Sequence, residues 1–273
     1  MAFNSIFKTN VIALTVYIVF SCTSLFADNR PVPVYSPSMH KTVKRIVKKI
    51  KRSYDVKQTV FVGLGQSPAA IIAMLQLQDL NALNLPLSSV TAHPEGKGRM
   101  NKPLNKIQLE NLFLHLDHFF PNLEQYQGKK IVFVDFMYSG KSISSILAYF
   151  PKYIEHRIPN ASSSIKVEGF AVVSSMISPY MLINMNKNWF IPKLTKYQLY
   201  PGQLNSALRN QELDGFSEYG SFYPFAFSYT STYPYKLPTP KSNYETLKSL
   251  IYKYEHKGQK NISPKMSCAL SLL

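Results

Sequence analysis

The chain has 273 residues, is 45% hydrophobic and carries a formal net charge of +16. That length holds one large domain with a substantial core and is too short for three. Its two cysteines, Cys22 and Cys268, exclude a disulfide framework and any zinc site built from cysteines. The excess of positive charge is compatible with phosphate, nucleic acid or a membrane surface and does not choose among them.

The N-terminus reads as a targeting segment. Lys8 precedes an apolar run from Val11 to Phe20, then small residues and Leu25-Phe26-Ala27. A basic start, a short apolar stretch and a small residue at the end predict a secretory signal over 1–27, cut after Ala27. Lipoprotein processing at Cys22 and an uncleaved anchor are the alternatives. An exported chain of this kind, periplasmic or secreted, keeps only Cys268 and depends on its core for stability. One α/β domain is expected over 28–273, with an aromatic-rich C-terminal region from about residue 176.

Residues 28–38 hold Pro31, Pro33 and Pro37 and predict an extended lead-in. Lys41 to Arg52 reads KTVKRIVKKIKR, with Val43, Ile46, Val47 and Ile50 at helical spacing and seven basic residues around them. This stripe suits a helix packed on a sheet, and the basic face is a possible contact for an anionic surface. Thr59–Val62 is β-branched and aromatic and predicts a buried strand. The turn Gly63-Leu64-Gly65-Gln66 then leads to Ser67-Pro68, read as an N-cap with proline at the first helical position, and a helix follows to Leu77.

Leu87–Ala92 predicts a second strand, opening into the glycine-punctuated basic loop His93-Pro-Glu-Gly-Lys-Gly-Arg-Met100. Leu104–Phe120 carries apolar residues at helical spacing. Ile131 to Leu147, IVFVDFMYSGKSISSIL, predicts a strand ending on Asp135, a polar turn and a helix; Ile165–Ser174 is a further strand. Strands alternating with helices predict an α/β fold, a mostly parallel sheet flanked by helices. Beyond Ser175 the pattern weakens: a short helix over Gln203–Gln211 and a last surface helix over Ser242–His256 are expected.

Ligands of an open parallel sheet gather at the carboxyl ends of its strands. Asp135 stands at such an end. Ser139, Gly140, Lys141 and Ser142 supply two hydroxyls, a bare backbone and a cation, the parts of a phosphate cradle. The nucleotide P-loop would need its leading glycine at position 135, where this chain has Asp. An ordinary strand-to-helix turn, with Gly140 serving only its dihedrals, is the structural alternative.

The segment Ile131–Ser142 resembles the phosphoribosyl-pyrophosphate loop of the type I phosphoribosyltransferases, in which an apolar strand, two adjacent acids and Thr-Gly-x-Thr precede a helix. Ser139 and Ser142 stand at the family's threonines and Asp135 at its second acid, while Val134 occupies the place of the first. The resemblance implies a phosphoribosyltransferase-like fold and a phosphorylated ribosyl ligand such as phosphoribosyl pyrophosphate or a nucleotide. It implies that Asp135 binds ribose hydroxyls or magnesium and that Ser139–Ser142 cradle the 5′-phosphate. It places the backbone of Gly63, Leu64, Gly65, Gln66 and Ser67 at pyrophosphate, with Lys97 and Arg99 of the basic loop, near His93, neutralising the leaving group. The likeness extends over roughly residues 55–175. The rival reading is a non-enzymatic exported protein acting through its basic helix and aromatic region.

Two other features carry less chemistry. His115 and His118 flank Asp117 at helical spacing but lack an evident third metal ligand. The aromatic cluster Tyr219–Tyr235 has no interleaved Lys or Arg, so a strand-rich cap packing on the core explains it better than base stacking, and no clear nucleic-acid motif appears.

Overall fold

The computed structural model describes residues 35–87, 94, 103–137, 141–174, 194–200 and 243–257, with the backbone alone at 137, 141, 173–174 and 194–200. Helix α1 (Pro37–Ser53) is followed by strand β1 (Thr59–Leu64), α2 (Ala69–Gln76), β2 (Ala82–Leu85) and α3 (Lys106–Phe119). Then come β3 (Lys130–Met137), α4 (Lys141–Arg157), β4 (Lys166–Ser174), β5 (Leu194–Tyr200) and α5 (Asn243–Glu255). The strands form one parallel sheet in the order β2-β1-β3-β4-β5. The expected α/β class with a parallel sheet and flanking helices is what the chain adopts.

Both sheet faces are covered, which is why the strands are apolar nearly throughout. Successive strand residues point to opposite faces. Val60, Val62, Leu64, Ile131 and Phe133 face α3 and α4, where Leu112, Leu116, Ile143, Ile146 and Phe150 meet them. Phe133 and Phe120 each approach the Phe150 ring to 5.0 Å in edge-on contacts. Phe61, Val132, Val134, Phe170 and Val172 face the other way, under α1, α2 and α5. The C-terminal helix is tied in by Tyr244, whose hydroxyl donates to Gln76 Oε1 at 3.0 Å, while Gln76 Nε2 donates to the Ala82 carbonyl at 3.0 Å.

Four expectations need correction. The extended lead-in does not reach Ser38: α1 begins at Pro37, with Ser36 Oγ accepting from the Met39 N–H at 3.2 Å. Proline lacks an N–H that the first helical turn could not use anyway, so it suits that position. At α2, by contrast, Pro68 is the cap residue rather than the first helical one, and no side chain caps this helix. A strand not expected from the sequence lies at Ala82–Leu85, ahead of Pro86, which has no N–H to continue the ladder; of the strand expected over Leu87–Ala92, residues 88–92 lie outside the described residues. Finally, β5 pairs with β4 in the region where no strand was expected. The helix expected over Gln203–Gln211 lies outside the described residues.

One contact sets how closely α2 can sit on the sheet. A Cβ built on Gly63 would lie 2.5 Å from Ile72 Cγ1 and 3.0 Å from Asn84 Oδ1. Only a glycine lets the helix pack this close to β1. We expect Gly63→Ala to destabilise the chain by about 1–3 kcal/mol through overpacking. Adding Ile72→Ala to it should cost less than the sum of the two single changes, measured by denaturant unfolding; strict additivity would contradict the contact.

Candidate functional site

The strand order reverses direction between β1 and β3, and the chain leaves these two neighbours toward opposite faces. After β1 it enters α2, which packs with Phe61 and Val134; after β3 it enters α4, which packs with Val62 and Phe133. Two adjacent strands feeding helices on opposite faces open a crevice at their carboxyl ends, the topological switch point of a doubly wound sheet. The register pairs Gly63 with Val134, so β1 ends at Leu64 level with Asp135, two residues before β3 ends at Met137. The turn after Leu64 and the carboxyl end of β3 therefore border the same switch point.

On the β1 side, Gly63 and Leu64 belong to the strand itself. Gly63 lies against Ile72, and Leu64 is buried in the α3/α4 core. Gly65, Gln66 and Ser67 form the turn and are partly exposed. Gly65 has φ 76°, in the left-handed region that favours glycine, and its N–H donates to the Leu85 carbonyl at 2.8 Å. That bond ties the turn to β2. The open part of this rim is Gln66-Ser67, ahead of the start of α2.

On the β3 side, alternation places Asp135 on the α3/α4 face, beneath the start of α4. Its side chain is only partly exposed, and burial pushes its carboxyl up to about 8, with one opposing hydrogen bond from the Phe136 backbone. A half-buried acid at a strand end is the type of group that ligand sites perturb. Val134, at the place of the family's first acid, is fully buried beneath α1 and α2 and faces away from Asp135. Ser142 is partly exposed in the first turn of α4, and Lys141 begins that helix. Ser139 and Gly140 lie outside the described residues, as do His93, Lys97 and Arg99.

The two ends of the segment that contains the basic loop are held by side chains from the α3/α4 layer. His115 is bonded to the Pro86 backbone, and the Leu104 N–H donates to the Tyr149 hydroxyl at 2.9 Å. His115 is fully buried, and burial, with His118 nearby, holds its imidazole down at about 3. Asp117 accepts from the Tyr153 hydroxyl at 3.0 Å and from Arg157 Nε at 2.8 Å. The His-x-Asp-His segment thus serves packing and an inter-helix ion pair. Sequence periodicity alone could not show that His115 faces the core.

Among the described residues no three His, Cys, Asp or Glu side chains gather as a metal site. Asp135 is a single carboxylate, a donor set that suits a magnesium ion shared with ligand phosphates and waters rather than one caged by protein. Among the described residues no helix is long and apolar enough to cross a membrane. Comparison of the chain with protein-family models, curated proteins and solved structures finds no match.

The shifted groups give pH dependence of opposite sign. Asp135 keeps its proton in the fold up to about pH 8 and loses it near pH 4 when unfolded, so its contribution is present below pH 4 and lost as pH rises to 8. His115 is neutral in the fold down to about pH 3, so its contribution is present above about pH 6.5 and lost on acidification. We expect Asp135→Asn to match the parent near pH 4 and to become progressively more stable than it up to pH 8, read by urea midpoints across that range. A variant less stable than the parent at pH 8 would contradict the buried, uncompensated carboxyl.

Proposed function

We propose that the chain is an exported, phosphoribosyltransferase-like protein that binds a phosphorylated ribosyl ligand in the β1/β3 crevice. The observation that supports this reading is the strand order, which makes the carboxyl ends of β1, before Gly65–Ser67, and of β3, at Asp135–Met137, neighbours at one switch point. The resemblance assigns both segments, some seventy residues apart in the sequence, to the same ligand.

In this reading the start of α4, with Ser139–Ser142, receives the 5′-phosphate at the positive end of the helix dipole. Asp135 sits beneath it and binds ribose hydroxyls, or magnesium brought in by the ligand's phosphates. Gly65–Ser67 face the pyrophosphate, and Lys97 with Arg99 neutralise it. Magnesium, when bound, would draw charge off the pyrophosphate. Binding Mg2+ would also favour the ionised form of Asp135, offsetting the burial that now holds the proton on.

Val134 separates binding from catalysis. Where the family has a second carboxylate, this chain has a core side chain buried on the opposite face. Ribose is thus held by one acid instead of two, and we place ligand binding ahead of group transfer. The signal over 1–27 directs this pocket outside the cytoplasm that made it, so the ligand must be met in the compartment of delivery.

Isothermal titration with phosphoribosyl pyrophosphate, ribose 5-phosphate and nucleoside monophosphates, each with magnesium, tests the reading. We expect saturable binding that weakens at least about tenfold in Asp135→Ala and in Gly140→Asp, with thermal unfolding confirming that both variants fold. Absence of heat with every phosphorylated ribose would sink it.

A further inference from the structure

Helix α1 has a second face that the crevice does not use. Its apolar side chains Val43, Ile46, Val47 and Ile50 are at most 2% exposed, packed under α2 and the sheet. Every Lys and Arg of the helix is exposed. Lys41, Arg45, Lys48 and Arg52 follow one another at spacings of four, three and four, which on a helix makes a single straight row. Lys44, Lys49 and Lys51 flank it. There is no acidic residue in the helix to neutralise the row. Lys44 is engaged by Glu255 at 2.9 Å and Lys51 by Gln78 at 2.9 Å, while none of the four row residues is among the ion pairs of the described residues.

Like charges stacked at one helical face repel one another and lower helix stability. Packing of the apolar stripe holds them in place. The arrangement is rigid, because the stripe that anchors it is among the most buried surfaces of the protein.

We propose that this row docks the protein on an anionic phospholipid surface by charge alone, without insertion. Insertion would need an apolar face on the outside of the helix, and that face is spent on the core. Base reading would need amide or aromatic side chains among the cations, and strand binding would need a groove; the outer face of α1 offers neither. Five of the seven cations are lysines, compact point charges suited to a diffuse field rather than to bidentate phosphate recognition. A flat bilayer asks only for several cations held within a Debye length of it.

The test is sedimentation of the full chain with vesicles of phosphatidylcholine alone and of phosphatidylcholine mixed with phosphatidylglycerol. Any attachment through the N-terminal apolar run is common to both vesicles, so the gain from phosphatidylglycerol is the readout. We expect that gain to disappear at high salt and to fall about tenfold or more in Lys41→Gln/Arg45→Gln/Lys48→Gln. Lys106→Gln/Lys152→Gln/Lys166→Gln, which removes the same charge from exposed sites elsewhere, should largely retain it. Equal loss in both triple variants, or no gain from phosphatidylglycerol, would overturn the proposal. Tighter binding to a DNA duplex than to the anionic vesicles at equal salt would assign the row to nucleic acid and overturn it as well. Ligand titration of the crevice in the same variants should be unchanged, which keeps the two sites distinguishable.

Discussion

The close approach of α2 to β1 at Gly63 is the contact on which the rest of the crevice depends. With Ile72 Cγ1 placed 2.5 Å from where any Cβ would be, the helix is seated as low on the sheet as the backbone permits. Interiors pack at crystal density, so a helix held at that distance has little freedom to slide. The turn at Gly65–Ser67 inherits its position from that seating and from the Gly65 bond to Leu85. Since β1 and β3 pair in register, the same constraint positions the turn beside the end of β3.

Around this constraint the molecule separates stability from chemistry. The core on either face is apolar, and the buried His115 and Thr59 are bonded to backbone, His115 at Pro86 and Thr59 Oγ1 donating to the Asp55 carbonyl at 2.6 Å. Asp135 differs from these. A carboxyl held up near 8 opposes folding at neutral pH. An apolar residue at that strand end would extend the run Ile131–Val134. A group that lowers stability without serving the core is more readily understood as serving a ligand.

Much of this architecture was legible in the chain. β1, β3 and β4 declare themselves because a parallel strand buried on both faces must be β-branched or aromatic at nearly every position, as in Thr59–Val62 and Ile131–Val134. α1, α3 and α4 show helical spacing for the same reason of burial. β2 escaped because Asn81 and Asn84 look like turn residues, although Asn84 sits inside the ladder opposite Gly63. β5 escaped because its pairing with β4 is set by tertiary contact and not by a strong local pattern. At the candidate site, Asp135 was visible as an acid closing an apolar run. The packing role of Gly63 was not, because Ile72 approaches it from the following helix. Nor was the divergence of Val134 and Asp135 to opposite faces weighed, although a period of two implies it.

A single ligand crevice at the ends of β1 and β3 is open to backbone amide NMR of the folded chain titrated with ribose 5-phosphate and magnesium. One crevice gives saturable shifts, with one common affinity, at Gly65–Ser67 and at Asp135–Ser142 together. Shifts confined to one of the two turns, or clustered away from both, would contradict it.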